Sequence, residues 1–516
     1  MRRLLLLSCL LLSVFASVEA QNGRRIQYRA DMGFYDDDYL PGAQRLIGHV
    51  AFAQDNVRGY CDSAYLYEKE NYLVAFGDRV RILVGDSVRL YGRRAYYDGN
   101  NRTASIAVRV RLEKDKAYLT TDSMVYDLNT DVGYYLTGGR LISEEDTLTS
   151  RIGRYYTKTD DAYAFENVCM QSSSYKVDCD SLQYNTVAKR AYFISPTRMV
   201  SKENTILTNA GWYDTDREIA LLVGDVRLHN ESQIMSADSV YYERERRFGQ
   251  AWRRVSIADT VQKYVVQGNY VEHYENGGTS LVTDSNLVIL IDDSNDSLFL
   301  HSDTIKVLFN EDNEMELMRA YNHAKFYRND LQGACDSLIY NAKDSMVIMF
   351  YNPAVWSEEY QLTGDTIRFV RLDSSEMRID LCKSGFIVGG LFDDSEFNQI
   401  KGLNITGFIH DKQLRQVNIV GNAECVYFVQ EEDSSLIGIN SSITSEMRIF
   451  FDDNKIQQIR FYDAPDGKIY PDEQFEEKNR RLQDFRWLDA YRPKRVEDLY
   501  VSPIPREKDK EEGTEK

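Results

Sequence analysis

The residues best suited to chemistry in this sequence are acidic, and they recur. The heptapeptide CDSLQYN at residues 179–185 returns as CDSLIYN at residues 335–341. Carboxylates on stacked strands are the catalytic groups of β-helical enzymes that act on polysaccharides. The pattern Asp-Ser/Thr-apolar-x-apolar occurs nine times, beginning at Asp62, Asp86, Asp122, Asp180, Asp238, Asp296, Asp303, Asp336 and Asp365.

Nine equivalent aspartates cannot all belong to one catalytic centre. An Asp-Ser pair at the start of a strand is explained by hydrogen bonds from its side chains to nearby backbone groups. The six histidines are scattered without a paired metal spacing, and neither a GxSxG motif nor a P-loop is present. The sequence therefore predicts no catalytic residue, no metal ligand and no cofactor, and the chain is not expected to be an enzyme.

Six cysteines follow Cys9, and none of them forms a CxxC pair. This spacing fits neither a zinc cluster nor a disulfide scaffold. Cys169 and Cys179 would form a disulfide if they faced each other on neighbouring strands in an oxidising compartment. Free, partly buried thiols are the alternative.

The residues after each repeated aspartate predict strands. The second and fourth positions after it are always apolar or aromatic, whereas the position between them varies freely. Alternation with a period of two is typical of a strand with one buried and one wet face. We expect the buried face to include Met124, Tyr126, Leu182, Tyr184, Val240, Tyr242, Leu338 and Tyr340.

The repeat is regular over much of the chain. Asp122, Asp180, Asp238 and Asp296 follow one another at intervals of 58 residues. Polar turns separate the strands, and no long amphipathic pattern interrupts them before residue 470. An ungapped internal repeat of this kind indicates stacked units. We predict an elongated, all-β, mainly antiparallel fold, because parallel strands would need crossover helices.

Composition narrows the class of protein further. The 516 residues include 36 Tyr and only 8 Pro, which favours strands, and the formal net charge is −19. Such a charge argues against binding of nucleic acid, which needs a basic face, although a local basic patch remains compatible with it. Arg2 and Arg3 precede a short apolar run, a pattern that predicts a signal peptide cleaved before Gln21 and export of the mature chain.

The C-terminal region changes character. Residues 475–493 carry Phe475, Leu482, Phe485 and Leu488 at helical spacing, which predicts a short amphipathic helix that caps the open end of the sheets. The charged segment 506–516 is expected to be disordered. The predicted organisation is a signal peptide (1–20), two β-jellyroll modules (21–185 and 186–395), a C-terminal β segment (396–465), and the helical cap with its tail (466–516).

One stretch carries a family resemblance. LVGDVRLHNESQIMSADSVYYERERR (221–246) joins a Gly-x-Val-x-Leu strand, a polar turn and an Ala-Asp-x-apolar-x-Tyr strand. It resembles the OstA-like, or LptA-like, periplasmic proteins of lipopolysaccharide transport, and looser versions of the phrase occur at 76–92 and 136–150. The similarity extends over about residues 26–370. This chain is, however, several times longer than the single-module members of that family.

The resemblance implies a V-shaped β-jellyroll that shelters the acyl chains of lipopolysaccharide or a related glycolipid. It implies a periplasmic protein of outer-membrane assembly, which could sit peripherally on that membrane and pair through edge strands with other lipopolysaccharide-transport proteins. The eight residues of the buried face would then be the ligand-binding residues. A structural or adhesive β-solenoid without a lipid ligand, and a polysaccharide-active β-helix enzyme, are the alternatives.

Overall fold

The computed structural model describes residues 25–35, 40–274, 278–292, 295–311, 314–391, 396–411, 413–431, 435–452, 455–463 and 465–501. The predicted signal peptide and the charged tail lie outside these residues. The chain forms two compact units. Unit 1 comprises residues 1–202 and 207–218, and unit 2 comprises residues 203–206 and 219–516. The division therefore falls later than residue 185, and the predicted C-terminal β segment is part of unit 2.

The described residues lie mostly in strands, and these strands pair antiparallel, which confirms the predicted all-β fold. In chain order the strands are β1 (Gln27–Arg29), β2 (Met32–Tyr35), β3 (Gln44–Gln54), β4 (Val57–Tyr67), β5 (Tyr72–Val84), β6 (Val88–Asp98), β7 (Thr103–Lys114), β8 (Ala117–Asp127), β9 (Val132–Tyr135), β10 (Gly139–Ser143), β11 (Asp146–Ser150), β12 (Ile152–Tyr156), β13 (Asp161–Gln171), β14 (Lys176–Asn185), β15 (Arg190–Phe193), β16 (Thr197–Val200), β17 (Thr205–Thr208) and β18 (Ala210–Asp214).

They continue as β19 (Ile219–His229), β20 (Gln233–Glu243), β21 (Phe248–Asp259), β22 (Tyr264–Tyr274), β23 (Thr279–Thr283), β24 (Leu287–Ile291), β25 (Ser297–His301), β26 (Thr304–Phe309), β27 (Met315–Tyr321), β28 (Ala324–Arg328), β29 (Leu331–Cys335), β30 (Ser337–Asn341), β31 (Met346–Phe350), β32 (Ala354–Ser357), β33 (Tyr360–Thr363), β34 (Thr366–Arg371), β35 (Glu376–Leu391), β36 (Glu396–His410), β37 (Gln413–Gln430), β38 (Leu436–Asp452), β39 (Lys455–Tyr462) and β40 (Asp466–Tyr470).

The long strands belong to two layers at once. The second half of β14 pairs with β15, whereas its first half pairs with β16. Most long strands change register at a bulge near their middle, for example between Phe165 and Val168 of β13. A bulge bends a strand and increases its twist, so it turns the chain from one layer into the other. Each unit is thus a jellyroll-like sandwich whose layers meet at bulged corners.

Four layers can be named, two in each unit. In unit 1, layer A contains β9, β12, β15 and β18, and layer B contains β10, β11 and β16. In unit 2, layer C contains β23, β26, β27, β30, β31 and β34, and layer D contains β24, β25, β28, β29, β32 and β33. Each long strand has one half in each of the two layers of its unit. The hairpin turns of both layers lie opposite the corners, at an edge that we call the mouth.

The 58-residue repeat consists of two equal steps. The backbone N–H groups of Leu128, Thr157, Thr186 and Thr215 donate to carbonyl oxygens near the hairpin turns, on Arg102, Asp131, Asp160 and Lys189, at 2.8–3.0 Å. Each of these donors and acceptors stands 29 residues after the previous one. The four acceptors also have positive φ, between 55° and 63°. A left-handed residue at the same point of these four hairpins closes the turn and sets the spacing of the next rung.

Most of the repeated aspartates lie at the corners, whereas Asp86 and Asp296 lie in the hairpin turns after β5 and β24. Asp62 and Asp238 occupy the bulges of β4 and β20, where the register shifts. The carboxylate of Asp62 accepts the backbone N–H of Asp78 at 2.9 Å, and the carboxylate of Asp238 accepts the Arg254 guanidinium at 2.8 Å. These bonds support the structural role expected for the repeat. In the described part of the chain, no group of three His, Cys, Asp or Glu residues is placed to hold a metal ion.

Cys169 and Cys179 are free thiols. Cys179 lies directly opposite Val168 in the β13–β14 pair, and Cys169 lies opposite Asp178. Residues that face each other across two strands share one side of the sheet, and adjacent residues of a strand take opposite sides. The two sulfur atoms therefore lie on opposite faces, and the disulfide alternative is wrong for this structure.

The amphipathic helix predicted over residues 475–493 does not form. Four short 3₁₀ helices occur instead, at Asp472–Gln474, Glu477–Asn479, Asp489–Tyr491 and Val496–Tyr500. Residues 471–501, which we call the strap, run across the outer face of layer D rather than capping the end of the sheets. Among the described residues, none of the helices has the length and apolar character of a membrane span.

Candidate functional site

The mouth of unit 1 is closed by contacts between its two layers. Lys114 Nζ, at a layer B turn, donates to Asp160 Oδ1 at a layer A turn, at 3.1 Å. Lys189 Nζ reaches the carbonyl oxygen of Ser143 at 3.0 Å and the carboxylate of Glu144 at 3.2 Å. Arg102 pairs with Asp55 across the same gap. Bridges at successive rungs leave no open apolar edge at these turns.

Tyrosine hydroxyls continue this closure behind the turns. Tyr126 Oη and Thr157 Oγ1 are 2.7 Å apart, and Tyr184 donates to Asp146 Oδ2 at 2.5 Å. Asp146 also accepts the Thr215 hydroxyl at 2.7 Å. Burial raises the pKa of Tyr126 to about 12, and burial together with the Asp146 carboxylate raises the pKa of Tyr184. Both phenols therefore stay protonated at physiological pH, and both belong to the buried core of unit 1.

The mouth of unit 2 is lined differently. Its facing side chains are apolar, pack on the core cluster of the unit and are only half-buried. Layer C and its long strands contribute Phe309, Met315, Tyr340, Val347, Met377, Leu414 and Phe451, and layer D and its long strands contribute Leu331, Leu362 and Tyr427. We call these ten residues the open mouth. They form a half-buried apolar strip on the core cluster, and at one rung the side chain of Gln262 crosses the mouth and accepts the Met315 N–H at 3.3 Å.

The two copies of the heptapeptide lie in different environments, one in the closed core of unit 1 and the other at the open mouth of unit 2. Leu182 and Tyr184, in the first copy, are 0% and 1% exposed. In the second copy Leu338 is buried, but Tyr340 is half-buried and packs at the open mouth. The two copies have the same alternation, so the difference comes from the opposite layer. Asp146 reaches Tyr184 across unit 1, whereas Tyr340 lies at an apolar edge.

The floor beneath the open mouth is closed. Met349, Ile367, Ile419 and Met447 are each 0% exposed and form one core cluster with the mouth residues. The side chains beneath the open mouth are therefore packed and buried. The outward neighbour Arg368, one position after Ile367, is exposed.

The strap covers the outer face of layer D. Trp356 is 0% exposed and packs with Leu488 and Tyr491 of the strap, and Phe485 and Trp487 pack on Phe386, Val388 and Phe397. Phe475 contacts Val426, Phe428 and Ile439. Layer D is therefore buried on both faces, on one side by the core cluster and on the other by the strap.

Buried glutamines hold the strap backbone. Gln399 donates to the Arg480 carbonyl oxygen and accepts the Leu482 N–H, at 2.7 and 2.9 Å. Gln361 makes the same two bonds to Arg486 and Leu488, both at 2.7 Å. A side-chain amide has both a donor and an acceptor, so one glutamine satisfies two backbone groups of a chain that crosses the strands.

Two basic side chains mark the far end of the strap. Lys325 Nζ donates to the Val501 carbonyl oxygen at 2.8 Å, and the rings of His301 and Tyr500 lie 4.4 Å apart between centroids. Burial lowers the pKa of both Lys325 and His301.

The eight predicted site residues divide between the two units. Met124, Tyr126, Leu182 and Tyr184 lie in the closed core of unit 1, and Leu338 is buried in the core of unit 2. Val240 and Tyr340 are half-buried against that core, and Tyr242 is half-buried as well. Contact of any of them with a lipid stays a prediction. Sequence reasoning missed Leu362, Met377 and Leu414, because alternation predicts the inward face but not how deeply it is covered.

Comparison with known proteins agrees with the motifs. The model of the family described as OstA-like protein matches residues 24–180 and 166–238. This part of the chain is therefore OstA-like, and the resemblance seen at 221–246 is confirmed where the match extends. The search of curated proteins returned no match.

Among solved structures, the chain is similar to LptH from Pseudomonas aeruginosa. LptH is described as the LptA-homologous periplasmic component of the lipopolysaccharide transport device. The identity is 15%, the alignment covers 21% of this chain and 80% of LptH, and the TM-score is 0.20.

Proposed function

We propose that this protein is a periplasmic carrier or bridge for lipopolysaccharide or a related glycolipid in Gram-negative outer-membrane assembly. The acyl chains would lie along the open mouth of unit 2, with the sugars in water. The observation that supports this most is the strip of ten half-buried apolar side chains on a packed floor, in a chain whose N-terminal part is OstA-like. Export by the predicted signal peptide is part of the proposal.

The energetics of an amphiphile favour such a strip. Each methylene group removed from water contributes about 0.8 kcal/mol. Half-buried side chains provide this gain without unfolding the core, because they already pack on one side and are wet on the other. The large sugar head group would stay in solvent, because the side chains of the open mouth are half-buried and reach water on one side.

Unit 1 supports the second candidate, a structural β-solenoid, for its own part of the chain. Its mouth is bridged by Lys114–Asp160 and Lys189–Ser143 contacts, and its core is filled. We therefore assign lipid binding to unit 2 and a spacing role to unit 1. Edge strands that pair with other lipopolysaccharide-transport proteins remain part of the proposal, as does peripheral contact with the outer membrane.

Mass spectrometry of the purified protein tests the proposal. Protein expressed in a Gram-negative host and purified without detergent is expected to carry glycolipid. Replacing Met377 and Leu414 by Glu places two charges in the apolar strip, and the bound lipid should fall at least tenfold, which corresponds to about 1.4 kcal/mol.

Arg368→Glu is the matched control, because it changes the charge of an exposed residue on the neighbouring strand β34. It should leave the lipid content within about twofold of wild type. Wild-type protein free of glycolipid, or equal lipid in the mouth variant and the control, would refute the assignment.

A further inference from the structure

The outer face of layer B carries a regular row of arginines. Directly paired residues across six neighbouring strands, β4 to β8 and then β10, are Tyr60, Arg81, Tyr91, Arg111, Thr120 and Arg140. Every second strand thus presents an arginine, and tyrosine or threonine stands between. Since neighbouring strands lie about 4.8 Å apart, the backbone positions of these arginines recur at intervals of about 9.5 Å. We call this set the arginine row.

A second row of side chains on the outer face of layer B lies two residues nearer the hairpin turns, and it adds to the positive charge of this face. It contains Arg58 on β4 and Arg89 on β6, and its carboxylate is Glu113, which pairs with Arg111 at 2.7 Å. Arg58, Arg81, Arg89 and Arg140 are exposed and make no ion pair within the described part of the chain. On a protein with a net charge of −19, unneutralised arginines concentrated on one face indicate an anionic partner.

Tyrosine rings stack with two arginines of the row. The Arg81 guanidinium lies over the Tyr60 ring at 4.6 Å, and the Arg111 guanidinium lies over the Tyr118 ring at 4.0 Å. Stacking fixes the planar cations, and the unpaired Arg81 keeps its outward N–H groups available for carboxylates or phosphates. Tyrosine faces and threonine hydroxyls between the cations are suited to sugar rings and hydroxyl groups.

We propose that the arginine row binds a linear anionic polysaccharide, laid across the strands of layer B. The regular order of the arginines along one line favours a linear polymer as the ligand. An extended polymer with an acidic group on alternate sugars meets one arginine per disaccharide, whereas a lipid surface or an acidic peptide gains nothing from the regular Tyr and Thr positions. The polysaccharide site is separate from the open mouth, and it does not depend on the proposed lipid function.

Binding of hyaluronan, which has one carboxylate in each disaccharide, tests the proposal with the full mature chain. We expect saturable binding by calorimetry that weakens as salt is raised, and no binding of neutral dextran. Affinity should rise from a tetrasaccharide to an octasaccharide, because the three arginines of the row span about 19 Å.

The double variant Arg81→Gln/Arg140→Gln should lose at least tenfold in affinity. Arg227→Gln/Arg254→Gln removes two exposed arginines of unit 2 that pair with Asp225 and Asp238, and it should stay within about twofold of wild type. Glu113→Gln, which frees Arg111, should tighten binding. Unchanged melting temperatures would show that each variant is folded.

Three outcomes would overturn the proposal. They are equal affinity for hyaluronan and dextran, equal losses in the two double variants, and tighter binding to phosphatidylglycerol vesicles or poly-glutamate than to long hyaluronan. The last result would assign the row to a membrane surface or an acidic peptide.

Discussion

Replacing Trp356 by Ala is expected to lower the free energy of unfolding of unit 2 by about 3–5 kcal/mol. Trp356 is fully buried between layer D and the strap, where it contacts Leu488 and Tyr491. Its indole Nε1–H also donates to Gln361 Oε1 at 3.3 Å, and the same oxygen accepts the Leu488 N–H. The variant loses a large apolar contact and loosens the glutamine that holds the strap.

Chemical denaturation gives the change in stability, and hydrogen exchange gives its location. The Leu488 amide should exchange faster in the variant than in wild type, because its acceptor is no longer fixed. Trp252→Ala is the control, since Trp252 is a half-buried tryptophan of the same unit in strand β21. Equal losses for the two variants, with an unchanged Leu488 exchange rate, would show that the strap does not stabilise layer D.

Tyr184→Ala is expected to destabilise unit 1 by a similar amount, about 3–5 kcal/mol. Tyr184 is 1% exposed, and its hydroxyl donates to the buried carboxylate of Asp146. The variant therefore leaves a cavity and removes one hydrogen bond from a buried charge. Tyr184→Phe, which keeps the ring, should cost about 1–3 kcal/mol for the bond alone.

Tyr340→Ala is the matched comparison, because it changes the same position of the second heptapeptide copy. Tyr340 is half-buried at the open mouth, so its truncation should cost clearly less than that of Tyr184. Denaturation followed separately for each unit would measure both values. Equal costs at the two positions would contradict the difference between a closed and an open mouth.

The strands and their inward faces could be predicted because alternation is a local property of the chain. The pattern Leu182-Gln183-Tyr184 determines which side chains share a side of the sheet. The 58-residue repeat was also visible, but its division into two steps of 29 residues was not. Those steps depend on left-handed turn residues as different as Arg102, Asp131 and Lys189, which share a backbone conformation and not a side-chain type.

The degree of closure of the mouth could not be predicted, since it depends on residues far away in the sequence. Tyr184 is covered because Asp146, from another strand, reaches it. The prediction of a helix in the C-terminal segment was wrong for a related reason. Phe475, Phe485 and Leu488 have the spacing of a helix, but each contacts a different part of layer D as the strap crosses the strands. The apolar positions therefore follow the strands that the strap crosses, and not one face of a helix.

Photo-crosslinking to glycolipid in living cells tests the central claim most directly. A benzophenone amino acid at Tyr340 or Leu362 of the open mouth is predicted to capture glycolipid. The same group at Tyr184, the equivalent position in the closed core of unit 1, or at the exposed Arg368 should capture none. Capture from Arg368 as strong as from Leu362, or capture at Tyr184 without capture at Tyr340, would contradict the account.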